Sequence, residues 1–302
     1  MKRIFTYMAM MLVAAGCTMD RKVEYDPLME FEFLPVMHVA AKADVVEDYP
    51  EGQPFAVNAW TLERGCRWED DATSPQAYLE EEDVVYGGGG WKLSCDALWP
   101  ERDKSLSFIG FTPIETFGAC TLAEGVTCTY DMLQAQTDIM YTDPQTDVDK
   151  VECGGIVIMP FRHALCQVDF EVKNRVAKNE EIIIKSIKID GVKHTGSFRS
   201  LPEPTWTVEG EPVCLTFFEG NQYTRNVPDR IGGTWLTIPQ ALDTNVSVEY
   251  EYRTAANTGF TATLKTCQLQ TNLKPGRHYT YTLSVGIDDV KFLLEIIEDR
   301  FR

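Results

Sequence analysis

Apolar and polar residues alternate with a period of two in several stretches of the chain, and that spacing predicts β-strands. Cys166, Val168, Phe170 and Val172 alternate with Gln167, Asp169, Glu171 and Lys173. Val246, Val248, Tyr250 and Tyr252 alternate with Ser247, Glu249, Glu251 and Arg253. Tyr279, Tyr281, Leu283, Val285 and Ile287 alternate with Thr280, Thr282, Ser284, Gly286 and Asp288. Leu106 to Phe111 puts Ser107, Ile109 and Phe111 on one face and Leu106, Phe108 and Gly110 on the other. Strands with one buried and one wet face suit antiparallel sheets. Ile182, Ile183, Ile184, Ile187 and Ile189 make a β-branched strand, which a turn at Asp190-Gly191 is expected to close. A sustained 3.6-residue apolar stripe is rare, and the best helical candidate is the short stretch from Asp131 to Gln136. Many short strands with Gly/Pro turns predict an all-β chain built of antiparallel sandwiches.

Composition adds a division. The 302 residues are 44% hydrophobic and 25% charged, ordinary for a globular chain and long enough for two domains. Acidic residues outnumber basic ones 46 to 28, a formal charge of −18 that phosphate backbones would repel, so nucleic acid is excluded as a partner. Residues 1–150 carry 27 acidic and 11 basic side chains, and residues 151–302 carry 19 and 17. The change falls at the polar, turn-rich segment Thr142-Asp143-Pro144-Gln145-Thr146-Asp147, which reads as a linker.

The first residues read as an export signal. Lys2 and Arg3 precede the mostly apolar run Ile4 to Val13, which ends in Ala14-Ala15-Gly16-Cys17. The run is too short to stay as a membrane span, and no other stretch reaches the roughly 18 apolar residues that one needs. Small residues ahead of a cysteine resemble a bacterial lipobox, although Ala14 stands where leucine is commoner. On that reading the chain is cut between Gly16 and Cys17, and the Cys17 thiol carries the lipid. A plain secretory signal with an incidental cysteine is the other reading. Eight further cysteines remain, at 66, 95, 120, 128, 153, 166, 214 and 267. Their even number would permit disulfides in an oxidising compartment, but a chain this long can build its core without them, and small buried thiols are expected.

Other motifs are ambiguous by themselves. Gly87-Gly88-Gly89-Gly90 lacks the Lys-Ser/Thr of a phosphate loop and reads as a hairpin tip. Glu80 to Asp83 and Asp143 to Asp149 lack calcium-loop spacing and read as solvated charge runs. The six tryptophans, Trp60, Trp68, Trp91, Trp99, Trp206 and Trp235, could form a sugar-stacking platform or sit in the core. No C-x-x-C, H-E-x-x-H or nucleophile–base set occurs, and neither a metal, a cofactor nor an enzyme activity is expected.

The string Phe161 to Phe170, FRHALCQVDF, resembles the strand that opens the second domain of fimbrillin-like proteins, the type V pilus subunits of Bacteroidetes. Phe55 to Trp60, Trp91 to Pro100, Leu106 to Phe111, Asp138 to Tyr141, Gly191 to Ser197, Leu236 to Gln240 and Pro275 to Tyr281 follow the same order. The resemblance implies two tandem transthyretin-like β-sandwich domains, at 28–147 and 148–302, behind a signal peptide at 1–16 and a lipidated tether at 17–27. It also implies outer-membrane lipoprotein export and assembly with other pilus subunits into adhesive surface fibres. A glycan-binding surface lipoprotein on a similar sandwich is the alternative, with host or bacterial surface glycan as its partner.

A subunit polymerises when its sandwich lacks a strand and a neighbour supplies one, because an open sheet edge takes up a strand. In the family, shaft subunits lose their first strand to a trypsin-like protease after a basic residue. The first strand here is expected within Leu28 to Ala40, with Phe31, Phe33 and Val36 inward. Lys42 is the only lysine or arginine between Val23 and Leu62, so an arginine-specific cut close behind that strand is not available. The chain therefore either keeps its lipid and first strand, as an anchor would, or is trimmed after Lys42. Val290, Phe292, Leu294 and Ile296 alternate near the C-terminus and read equally as a donor strand or as an ordinary last strand.

Overall fold

The computed structural model describes residues 29–38, 46–68, 70, 73–257 and 259–295. Its strands are β1 (Glu32–His38), β2 (Val46–Asp48), β3 (Phe55–Glu63), β4 (Gln76–Gly87), β5 (Gly90–Leu93), β6 (Lys104–Thr112), β7 (Phe117–Thr121), β8 (Gly125–Asp131), β9 (Met140–Thr142), β10 (Gln145–Val148) and β11 (Ile156–His163). Then come β12 (Cys166–Asn174), β13 (Glu181–Val192), β14 (Thr195–Arg199), β15 (Thr205–Glu209), β16 (Val213–Tyr223), β17 (Asp229–Thr237), β18 (Ala241–Arg253), β19 (Thr261–Asn272), β20 (His278–Val285) and β21 (Val290–Glu295). Helix α1, Lys150–Cys153, is a single turn that Asp149 caps by accepting from the backbone N–H groups of Val151 and Glu152.

The strands form four sheets. The first runs β10-β6-β3-β4-β5-β1-β11-β9, with β2 beside β1. A further ladder between β6 and β9 joins its two sides, so the pairing closes on itself. The other sheets are β17-β12-β20-β21, β16-β13-β18-β19 and β15-β14-β8-β7. The last of these takes two strands from residues 117–131 and two from 195–209, which ties the halves of the chain together. Most ladders are antiparallel, but β1 runs parallel to β11 and β12 parallel to β20.

The all-β architecture expected from the alternation is present. The stretch Leu106 to Phe111 divides into the two faces expected, but neither is wet: Leu106 and Phe108 enter one core cluster, Ile109 and Phe111 the other. Both faces of β6 are thus covered, and its polar residues Ser105, Ser107 and Thr112 are buried along with its apolar ones. At Gly110 a Cβ would come within 2.7 Å of the Met159 methyl and 3.1 Å of the Phe161 ring, so these two buried side chains of β11 would have to shift. The run of four glycines is a hairpin tip, with Gly88 and Gly89 both at positive φ as a two-residue type I′ turn requires.

Four readings are corrected. Asp131 to Gln136 is not a helix: Asp131 ends β8 and a single turn follows, in which the Asp131 carboxylate accepts from the Leu133 N–H and its carbonyl from the Gln134 and Ala135 N–H groups. The Thr142–Asp147 segment is not an unpaired linker: it ends β9 and begins β10, which pairs with β6. Gly191 does not end its strand; β13 continues to Val192 through a register shift at which Gly191 holds φ +68°. The string from Phe161 to Phe170 is also not one strand, since Phe161 to His163 close β11 in the first sheet and Cys166 opens β12 in the second.

All eight described cysteines are free thiols, with Cys128 and Cys166 buried and Cys214 exposed. Burial pushes the Cys166 thiol up to about 12, with the Thr237 hydroxyl at 2.9 Å from Sγ. None of the six tryptophans is exposed. Trp60, Trp91 and Trp99 are buried, and Trp68, Trp206 and Trp235 are half-buried. The sugar-stacking platform has no exposed indole to build on.

Candidate assembly site

The first strand is built by alternation. Phe31, Phe33, Pro35 and Met37 are buried, while Glu30, Glu32 and Leu34 face solvent. Val36 is half-buried on the outer face, and Met37 takes the inward place expected of it. On one side β1 lies along β11 in parallel over six pairs, from Glu32↔Ile156 to Met37↔Phe161. On the other side its partners are sparse. It meets β5 at the single pair Phe33↔Trp91, and its last three residues pair with β2. Pro35, which has no N–H to donate, falls between those two antiparallel partners.

Beneath β1 lies an aromatic bed. The Phe31 ring is 4.7 Å from Trp99 and 6.0 Å from Phe108, and the Phe33 ring is 6.1 Å from both Phe55 and Phe108. Tyr49 and Phe55 close the bed against Phe161, at 4.8 and 5.0 Å. Val157, Met159 and Phe161 of β11 complete the wall. Gly155 is favoured here by its φ of +86°, which side-chain-bearing residues rarely adopt, and a Cβ on it would also displace the Met29 side chain, whose sulfur stands 2.6 Å away. Without β1 this surface is a long apolar groove between β5 and β11, with unpaired backbone on both rims.

Residues 39–45 join β1 to β2, and Lys42 is among them. Lys42 lies outside the described residues, as do Gly16, Cys17 and Ile296. The wall residues Val157 and Met159 were not singled out in the sequence, although the run Ile156-Val157-Ile158-Met159 carries a strand signal. In this structure β21 occupies the place of an ordinary last strand, antiparallel to β20 from Val285↔Val290 to Thr280↔Glu295.

The scattered histidines find carboxylates rather than one another. His163 pairs with Asp138 at 2.7 Å and His194 with Asp131 at 2.9 Å. His278 pairs with Asp169 at 2.8 Å, and Arg230 approaches the same carboxylate at 2.8 Å. Burial pushes the Asp169 carboxyl up, but hydrogen bonds from His278 and Thr234 and the charge of Arg230 outweigh it and hold the group below its ordinary value. A depressed carboxyl stabilises the fold above the unfolded pKa of about 3.9, and that contribution disappears as pH falls through the folded value. Asp169→Ala is expected to cost about 1.5–3 kcal/mol at pH 7, the scale for hydrogen bonds to charged groups. In urea titrations the gap between wild type and variant should shrink steadily below about pH 4. A gap unchanged down to pH 2 would show that Asp169 works through packing alone. No group of histidine, cysteine, aspartate and glutamate with metal-holding geometry occurs among the described residues.

The chain belongs to the fimbrillin-like family, whose profile matches residues 57–297. A fimbrial protein from Bacteroides vulgatus shares its fold with a TM-score of 0.68 at 16% identity, over 88% of this chain and 98% of that one. Candidate cell adhesion proteins from Bacteroides ovatus and Bacteroides uniformis superpose with TM-scores of 0.54 and 0.52, each at 14% identity. Each comparison covers 90% of this chain, and 98% and 99% of the respective partner. Among curated proteins none matches in sequence.

Proposed function

We propose that the chain is a subunit of a cell-surface fimbria that joins its neighbours by strand exchange, after export as a lipoprotein attached through Cys17 to the outer membrane. The observation that carries this reading is the state of β1. Its inward side chains fill a continuous aromatic groove, yet its only covalent link to the rest of the domain beyond its own N-terminus runs through residues 39–45. One cut after Lys42 would turn β1 into a separate, non-covalently held strand, which a strand from another subunit can replace. A two-domain organisation goes with this. The membership of β10 and β11 in the first sheet favours a boundary at Ala164-Leu165 over one at 147/148.

Two fates follow from the position of Lys42. With Cys17 lipidated and β1 retained, the groove stays filled and the subunit serves as an anchor. With the chain starting at Ala43, the groove is open and the subunit polymerises. Mass and N-terminal sequence of protein shaved from intact cells decide between them. A lipid-bearing Cys17 is the anchor outcome, and a start at Ala43 in heat-resistant polymers is the shaft outcome. A mature form that begins at neither residue would sink both.

A further inference from the structure

Sheet edges are where a protein can pair with another chain, and most edges here are blunted. β2, β10, β7 and β15 have 3, 4, 5 and 5 residues. β16 has 11 residues, but register shifts interrupt its ladder to β13 three times. β17 also shifts register against β12 and bends at Gly232, whose φ is +74°. β21 is short, with 6 residues. β19 departs from this pattern. Its 12 residues pair one-to-one with β18, from Tyr252↔Thr261 to Ala241↔Asn272, without a shift. It contains no proline and no glycine, and Lys265 is its one charged side chain. Among the described residues no strand pairs with its outer edge; β21 approaches it without forming a ladder.

We propose that the β19 edge is a self-association surface, on which β19 of a second copy pairs antiparallel and joins two four-stranded sheets into one. Length favours this occupant, since no other described edge strand of the chain offers an unbroken ladder to match twelve residues. Charge favours it too. Two copies at −18 each repel, and β19 is an edge that brings no negative charge to the contact. The sequence also fits an isologous two-fold contact. An axis through Thr266, perpendicular to the sheet, keeps each residue on its own face. It sets Lys265 opposite Cys267, so the two lysines do not meet. It sets Leu264, 62% exposed, opposite Gln268, where each leucine gains a cover.

Sedimentation of the purified protein over a wide concentration range tests this. The mass should rise from one chain to two. Thr266 is exposed, and Thr266→Lys would bring two lysines face to face on the axis, which disfavours pairing. That variant should stay at the mass of one chain with an unchanged unfolding midpoint. Wild-type protein that stays at one chain throughout, or a variant that pairs as strongly as wild type, overturns the proposal. If the variant does not fold, amide exchange of the wild type gives the answer. Slowing confined to β19 as concentration rises supports the edge contact, and no change in β19 overturns it. The exchange map also separates this contact from strand exchange at the β1 groove, which would alter β5 and β11 instead.

Discussion

Replacing Phe108 by alanine is expected to cost about 3–5 kcal/mol, the range for removing a buried phenylalanine that its surroundings cannot refill. Phe108 is fully buried in the middle of β6 and lies against Phe31, Phe33 and Trp99, with ring centroids near 6 Å in each case. β6 is paired on both sides, to β3 and to β10 and β9, so the backbone is held and cannot collapse into the space left. Chemical denaturation at neutral pH measures the loss as a lower midpoint with an unchanged slope. The substitution also reports on β1. In a chain that starts at Ala43, Phe31 and Phe33 are gone, the Phe108 ring has lost two of its partners, and the same change should cost distinctly less. Equal costs in the two forms would mean that Phe108 is not coupled to β1.

The second large effect is expected at Gly125, which opens β8. Its φ is +66°, and a Cβ built there would lie 2.0 Å from the Ser200 hydroxyl oxygen and 2.9 Å from Leu201 Cγ. Ser200 cannot simply move aside. Its hydroxyl accepts from the Val126 N–H at 3.0 Å, its own N–H donates to the Val126 carbonyl, and the Leu201 N–H donates to the Glu124 carbonyl. Gly125→Val therefore adds backbone strain of about 1–3 kcal/mol to overpacking of about 1–3 kcal/mol. Gly88→Ala is the control. Gly88 has φ +63° and nothing within 4 Å of its added Cβ, so it carries the backbone cost alone. A Gly125→Val midpoint no lower than that of the control would show that the Ser200–Leu201 segment yields freely.

Much of the fold was legible because alternation is a local signal. Leu106 to Phe111 announced two faces, and each face proved to belong to a different core cluster. Phe31 and Phe33 were recognisable as inward residues for the same reason. What local pattern cannot carry is the partner of a strand. The parallel β1–β11 ladder joins residues more than a hundred positions apart, and nothing in Ile156 to Met159 says that their neighbour is Phe33 rather than the next strand along. The same limit explains the string from Phe161 to Phe170, where the pattern persists while the chain leaves one sheet at His163 and enters another at Cys166. The turn at Asp131 was missed because its backbone does begin like a helix, with the Gln134 and Ala135 N–H groups donating to the Asp131 carbonyl, and only the absence of a second turn, which local pattern does not show, tells it apart.

The parallel course of β1 and β11 has a mechanical consequence. The chain enters β1 from its N-terminal side and leaves β11 from its C-terminal side towards the second sheet, and in a parallel pair those two points lie at opposite ends of the ladder. A pull between the N-terminal side of the chain and the second half of the protein therefore acts along the strands, and it strains all six pairs together. An antiparallel pair pulled from the same two points would open one hydrogen bond at a time, like a zip. The geometry thus places the joint in shear, the direction in which a short β ladder resists tension best.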